Sequence, residues 1–163
     1  MKSLTVIFEK FEDYDFRDIL YGLGVYVIWD SKSKAKPTYI GEGDIWNRFT
    51  QHRNRFAEPI DGYIALLEGT TNVVKKQSQI IEAALLEVAK TIDLFPNHNK
   101  KNGNWNHIDK VFDKHGVLKI YFEGMNPFKN PASHNTPMKN RKEVRITYNN
   151  TDNILEYDHN WNS

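Results

Sequence analysis

Residues 24–52 read GVYVIWDSKSKAKPTYIGEGDIWNRFTQH. Val25 to Trp29 is a run of β-branched and aromatic residues, Ser31 to Lys36 is a polar turn, and Pro37 opens a second short run, Thr38 to Ile40. This pattern predicts a β-hairpin. Asp44 is a good N-cap for a helix running to about Arg55, whose buried stripe is Ile45, Phe49 and Phe56. At 100° per residue, His52 falls about 40° and Arg48 about 80° from the centre of that stripe. Both flank the buried face, where a snorkelling arginine and a core-edge histidine account for the spacing as readily as chemistry does.

Working outward, Leu4 to Phe8 reads as a strand and Glu12 to Leu20 as a polar connector or a turn of helix. Beyond the hairpin and helix, Glu58, Pro59 and Gly62 interrupt the chain before a third strand at Tyr63 to Leu67. A long helix is expected from about Val74 to Leu94, stopped by Pro96. After the Asn-rich segment 97–106 come strands at Val117 to Phe122, Glu143 to Tyr148 and Ile154 to Tyr157, with a Pro/Asn-rich loop over 126–140. The order predicts an α+β fold: a small antiparallel β-sheet of three core strands flanked by helices, with a strand-rich C-terminal appendage. Residues 1–163 are read as a single domain, with a core at 22–100 and the appendage at 101–163.

The chain of 163 residues is long enough to bury one hydrophobic core. It has no cysteine, which rules out disulfides, a thiolate nucleophile and Cys-ligated zinc, so any metal must be held by oxygen or imidazole. The opening MKSLTVIFEKFEDYD breaks into charge too early for a signal peptide, and no apolar run approaches a membrane span. A soluble, cytoplasmic protein with no membrane partner is the expectation. The net charge of +1 argues against strong non-specific polyanion binding by the whole surface. Its distribution is uneven: residues 1–30 carry 3 basic and 6 acidic side chains, whereas residues 129–145 carry 5 and 1. The late basic loop suits local phosphate contact, and equally an ordinary solvated surface.

On the long helix, with Ile81 at zero, the apolar sector runs through Leu94, Ile80, Ala84, Val88 and Leu85 and takes in Glu87, while Glu82 falls on the opposite side beside Asp93. A carboxylate inside an apolar arc is costly unless it is paired, hydrogen-bonded or bound to a metal. A buried ion pair between Glu87 and an arginine satisfies that condition, and so does a metal.

Gly24-Val25-Tyr26 and Tyr39-Ile40-Gly41, twelve residues apart, resemble the two halves of the signature of the GIY-YIG nucleases. Arg48, seven residues past Gly41, and His52, four further on, fall where that family carries its helix Arg and His. The segment from Glu82 to Glu87 followed by Pro96-Asn97-His98-Asn99 is similar to the acidic helix and P-x-x-N ending of the excision-repair incision nuclease and its relatives. The resemblance implies a divalent-metal-dependent DNA endonuclease, of restriction or phage type, in which Tyr26, Tyr39, Arg48, His52 and Glu87 are catalytic and Gly41 and Asn99 support them. It implies one Mg²⁺, replaceable by Mn²⁺, held by Glu87 and water. Arg48 would hold a phosphate oxygen through its planar fork, and Tyr26 would orient or deprotonate the attacking water.

This sequence departs from the family at Glu42, where many members have Lys or Arg. Glu82 with Asn97 is a second pairing for the acid and the amide. DNA contacts are expected from Arg53 and Arg55 beside the site and from Lys139, Arg141, Lys142 and Arg145 in the late loop. Cutting of both strands would call for a homodimer, at least on DNA. Alternative readings are a repair or recombination nuclease of the same family, a catalytically idle DNA-binding module, and a metal site built from His98, His107 and His115.

Overall fold

The computed structural model describes residues 2–11, 22–100, 116–133, 136–149 and 154–161. The connector expected at Glu12 to Leu20, as well as His107 and His115, lies outside them. In chain order the elements are β1 (Lys2–Phe11), β2 (Leu23–Trp29), β3 (Tyr39–Asp44), α1 (Ile45–His52), β4 (Asp61–Leu66), α2 (Thr71–Thr91), β5 (Val117–Gly124), β6 (Lys142–Asn149) and β7 (Ile154–His159).

The expected three-stranded antiparallel sheet flanked by helices, with a separate appendage, is not what the chain forms. The strands make one curled, mixed sheet of seven in the order β3-β2-β4-β1-β5-β6-β7. β1 is the reason. Its Glu9 to Phe11 pair antiparallel with Gly62 to Ile64 of β4, while Lys2 to Phe8 pair in parallel with Leu118 to Gly124 of β5. One ten-residue strand therefore joins the hairpin region to the three C-terminal strands. Reading only Leu4 to Phe8 as strand stops short of the residues that pair with β4, because Glu9 and Lys10 carry charge to the exposed side while Phe11 returns to the core.

Each strand alternates its side chains between two faces. On one, Val25, Val27, Ile40 and Tyr63 pack against Ile81, Leu85 and Val88 of α2, and this core continues through Leu118, Ile120 and Phe122 to Val144 and Ile146. On the other, Tyr26, Ile28 and Ile64 pack with Phe11 and with Ile45, Phe49 and Phe56 from and beyond α1. Tyr26 belongs to the α1 face, whereas its neighbours Val25 and Val27 belong to the α2 face.

β3 is an edge strand, and the segment after α2 covers it. Asn97 N–H donates to Pro37 O (3.1 Å) and His98 N–H to Thr38 O (2.9 Å). The Asn99 side chain then brackets Ile40: its Oδ1 accepts from Ile40 N (2.8 Å) and its Nδ2 donates to Ile40 O (2.9 Å). An amide side chain here pairs with Ile40 as a neighbouring strand would, which closes the start of this edge. Among the described residues, no helix is long and apolar enough to cross a membrane.

Candidate active site

The site is built where β2, β3 and α1 meet. Pairing of β2 with β3 sets Tyr26 opposite Gly41 and Ile28 opposite Tyr39. The rings of Tyr26 and Tyr39 lie 6.2 Å apart between centroids, and Phe49 supports Tyr26 at 5.1 Å. A β-carbon at position 41 would fall on the Tyr26 hydroxyl and within 2.7 Å of Tyr39 Cε1, so only glycine leaves room for the two phenols.

α1 starts directly from β3. Asp44 ends the strand and caps the helix, its Oδ1 accepting from Asn47 N (3.0 Å), and Ile45 N–H donates to Gly22 O (3.0 Å). With the helix start fixed to the strand end, Arg48 and His52 project one turn apart beside the tyrosines. Gly43, at φ +123°, accommodates the arginine: Arg48 Nε lies 3.0 Å from the place of its missing β-carbon. Glycine is needed there for both conformation and space.

His52 is buried, 4.8 Å from Tyr39 and 5.6 Å from Phe56 between ring centroids. Its Nδ1 lies 3.1 Å from Arg55 Nη1. A guanidinium can only donate, so Nδ1 is the acceptor and the ring proton sits on Nε2. Burial first, then the charges of Arg55 and Arg48, holds its pKa down to about 4. His52 is therefore a neutral imidazole at ordinary pH, and it presents an N–H donor.

Of the two carboxylates expected from α2, Glu82 is the one that lies near the tyrosines and Arg48. Ser78 Oγ donates to Glu42 Oε2 (2.8 Å), which docks β3 onto α2, and Glu82 lies one turn beyond Ser78 on the same face. Burial, followed by the charge of Glu42, pushes the Glu82 carboxyl up to about 7 against the opposing pull of Arg48. The field of Glu82 reaches both tyrosines. Glu87 points elsewhere: it hydrogen-bonds the phenol of Tyr157 on β7, which raises that phenol's pKa. Glu87 sits apart from Tyr26, Tyr39, Arg48, His52, Gly41 and Asn99, all of which the fold brings to the β3 edge. Asn99, not Asn97, is the amide that braces it.

Both tyrosines are held neutral. For Tyr26, burial and then Tyr39 push the phenol pKa up, Arg48 opposes them, and Glu82 and Glu42 add to the rise. For Tyr39, burial and Glu82 raise it against Arg55 and Arg48. The Tyr26 side chain is 1% exposed, and its hydroxyl makes no hydrogen bond to a described residue. The half-buried Glu82 carboxylate likewise has no hydrogen bond or ion pair among the described residues.

The chain finds no match among family models, curated proteins or solved structures. A desolvated carboxylate with a raised pKa and no cationic partner in contact among the described residues fits a hard divalent ion. Among the described residues, no group of three or more His, Asp or Glu could hold a metal. An ion at Glu82 would complete its shell mainly with water, as Mg²⁺ and Mn²⁺ do.

The basic residues expected to touch DNA divide into two kinds. Arg53 pairs with Glu58 (3.6 Å), Arg55 serves His52 and lies 5.9 Å over Tyr39, and Arg145 pairs with Glu143 (3.3 Å). Arg141 bonds Glu123 (2.9 Å) and stacks 3.5 Å over the Tyr121 ring, and Lys142 is buried. These residues already have structural work. Lys139 is exposed and, with Lys129 and Lys142, lines a cleft of about 300 Å³.

The sequence reading missed the Glu42–Ser78–Glu82 connection. Its one local signal is the i, i+4 spacing of Ser78 and Glu82; the strand that docks on that face can only be seen in the fold.

Proposed function

We propose that the chain is a divalent-cation-dependent DNA endonuclease that hydrolyses phosphodiester bonds, with Glu82 in the place expected for Glu87. The observation that carries this reading is the buried Tyr26 hydroxyl, without a described partner, beside a half-buried Glu82 and an exposed arginine. Arg48 makes no ion pair among the described residues, so its fork is available to a phosphoryl oxygen. His52 donates through Nε2 to a second phosphate oxygen or to the leaving oxygen. Tyr26, kept neutral, accepts a hydrogen bond from the attacking water and fixes its line of approach; Tyr39 holds Tyr26 in place. A divalent ion at Glu82 would supply charge stabilisation at the phosphoryl group and lower the cost of deprotonation nearby.

The test is cleavage of supercoiled plasmid with Mg²⁺ by wild type, Arg48→Ala and Glu82→Gln, each checked for folding by circular dichroism. Cutting by wild type alone supports the reading; no cutting under Mg²⁺ or Mn²⁺, or full activity in Glu82→Gln, overturns it. Sequencing the cut ends then separates the biological roles. Discrete sites fit a restriction-type enzyme, and dependence on branches or lesions fits repair.

A further inference from the structure

Glu42 is the charged residue at this site that the proposed reaction does not use. It follows Gly41 on β3, with its side chain on the α2 face, and Ser78 Oγ fixes its Oε2 at 2.8 Å. Ser78 is fully buried and also lies 2.9 Å from Lys75 O, so its hydroxyl is held in one place and the carboxylate it orients is held with it. Glu82 stands one helical turn along the same face. A strand and a helix thus bring two carboxylates to one side of β3, near enough for the charge of Glu42 to act on Glu82.

Such a pair is costly by itself, since like charges at a desolvated point repel. Neither acid is neutralised by an ion pair among the described residues. The second observation comes from the other side of β3. The Tyr26 hydroxyl, in a side chain 1% exposed, makes no hydrogen bond to a described residue; it lies against Gly41, within reach of the charges of Glu82 and Glu42. Repelling acids and an unsatisfied buried hydroxyl have a common remedy: a hydrated cation, whose charge offsets the carboxylates and whose water reaches the phenol.

We propose that Glu42 and Glu82 together bind a single hydrated divalent cation, with Ser78 as the positioning residue for Glu42. The proposal rests on the nuclease reading only for what the ion does, not for where it binds. Two carboxylates with water suit Mg²⁺ or Mn²⁺. Without the cation the two carboxylates would repel phosphate, so substrate and ion are expected to bind together.

The test is Mn²⁺ binding, measured by calorimetry on the full chain without DNA. Wild type should bind one Mn²⁺, and Glu42→Gln and Glu82→Gln should each weaken it about tenfold or more, since even partners outside the ligand shell are worth that much. Ser78→Ala, which keeps both acids, should weaken binding to a smaller extent; it also serves as the second variant should Glu42→Gln fail to fold. Mn²⁺ affinity unchanged in Glu42→Gln and Ser78→Ala, or no Mn²⁺ binding by wild type, overturns the proposal. Parallel plasmid assays separate it from the nuclease reading. Mn²⁺ binding that depends on both acids without DNA cleavage upholds the cation site and removes the nuclease; cleavage with Glu42→Gln binding Mn²⁺ normally does the reverse.

Discussion

The Tyr26 hydroxyl occupies the volume that a side chain at Gly41 would fill. The two residues face each other across the β2–β3 pair, and the phenol is buried because its partner has no β-carbon. Gly41→Ala must push Tyr26 or Tyr39 off its position. Overpacking of this kind costs about 1–3 kcal/mol, so thermal unfolding should shift down by several degrees and plasmid cleavage should fall with it. Unfolding at the wild-type temperature would show that this contact is not made.

The choice between the two acids on α2 gives the second prediction. Glu82→Gln should reduce cleavage by about a hundredfold or more, the loss of a few kcal/mol of charge stabilisation. Glu87→Gln should leave the rate within a few fold, because its carboxylate serves Tyr157. Stability should move the other way. Removing the desolvated Glu82 charge relieves repulsion from Glu42, so the metal-free Glu82→Gln protein should melt no lower than wild type, and Mn²⁺ should no longer raise its melting temperature. Rate loss in Glu87→Gln alone would restore the acid first expected from the sequence.

The placement of these two acids shows what was legible in the sequence and what was not. The hairpin, the Asp44 cap and the positions of Arg48 and His52 follow from local chemistry, and local chemistry survives into the fold. The acid depended on which side of α2 meets protein. A helical wheel assumes one buried side and one wet side, but from Ser78 to Ala89 only Gln79, Glu82 and Glu87 are not fully buried. The arc of Glu82 faces β3 and Glu42 and so is neither solvent nor apolar core. The extent of the sheet was hidden for a related reason. The parallel pairing of β1 with β5 joins residues more than a hundred positions apart, and no periodicity in either segment reports the other.

Asn99 gives the third prediction. Its amide satisfies both backbone groups of Ile40, a residue fully buried in the edge strand. Asn99→Ala should cost about 1–3 kcal/mol, the range for leaving a buried polar group unpaired. Asn99→Asp should be no better, because a second acceptor would then oppose the Ile40 carbonyl. As a brace rather than a reacting group, Asn99→Ala should lower the cleavage rate without moving its pH profile. A shifted pH profile at normal stability would mean that Asn99 takes part in proton transfer.

His52 predicts how stability depends on pH. Its folded pKa of about 4 lies below the ordinary 6.5, so between those values the unfolded chain binds the extra proton. Stability attributable to the neutral ring is fully present above pH 6.5 and is lost as pH falls through about 4. Arg55, Arg48 and the aromatic rings of Tyr39 and Phe56 surround the imidazole and disfavour its charge. His52→Gln, which can still accept from Arg55, should flatten the melting-temperature profile over that window. An equally steep profile in the variant would assign the acid sensitivity to other groups.

The basic residues supply the last prediction, because burial and pairing separate those free to bind phosphate from those already engaged. Lys139 is exposed at the rim of the cleft it shares with Lys129, whereas Arg141 is held by Glu123 and by the face of Tyr121. If the cleft contacts DNA, each phosphate contact adds about 0.9 to the slope of log affinity against log salt. Lys139→Ala should reduce that slope by about this amount without changing the melting temperature. Arg141→Ala should leave the slope alone and cost about 0.5–1 kcal/mol of stability, as expected for an exposed cation–π contact. Binding to a short duplex, followed by fluorescence anisotropy across a salt series, measures both. A slope that changes with Arg141 and not with Lys139 would mean that DNA displaces the Glu123 pair and runs along β5 and β6 rather than across the cleft.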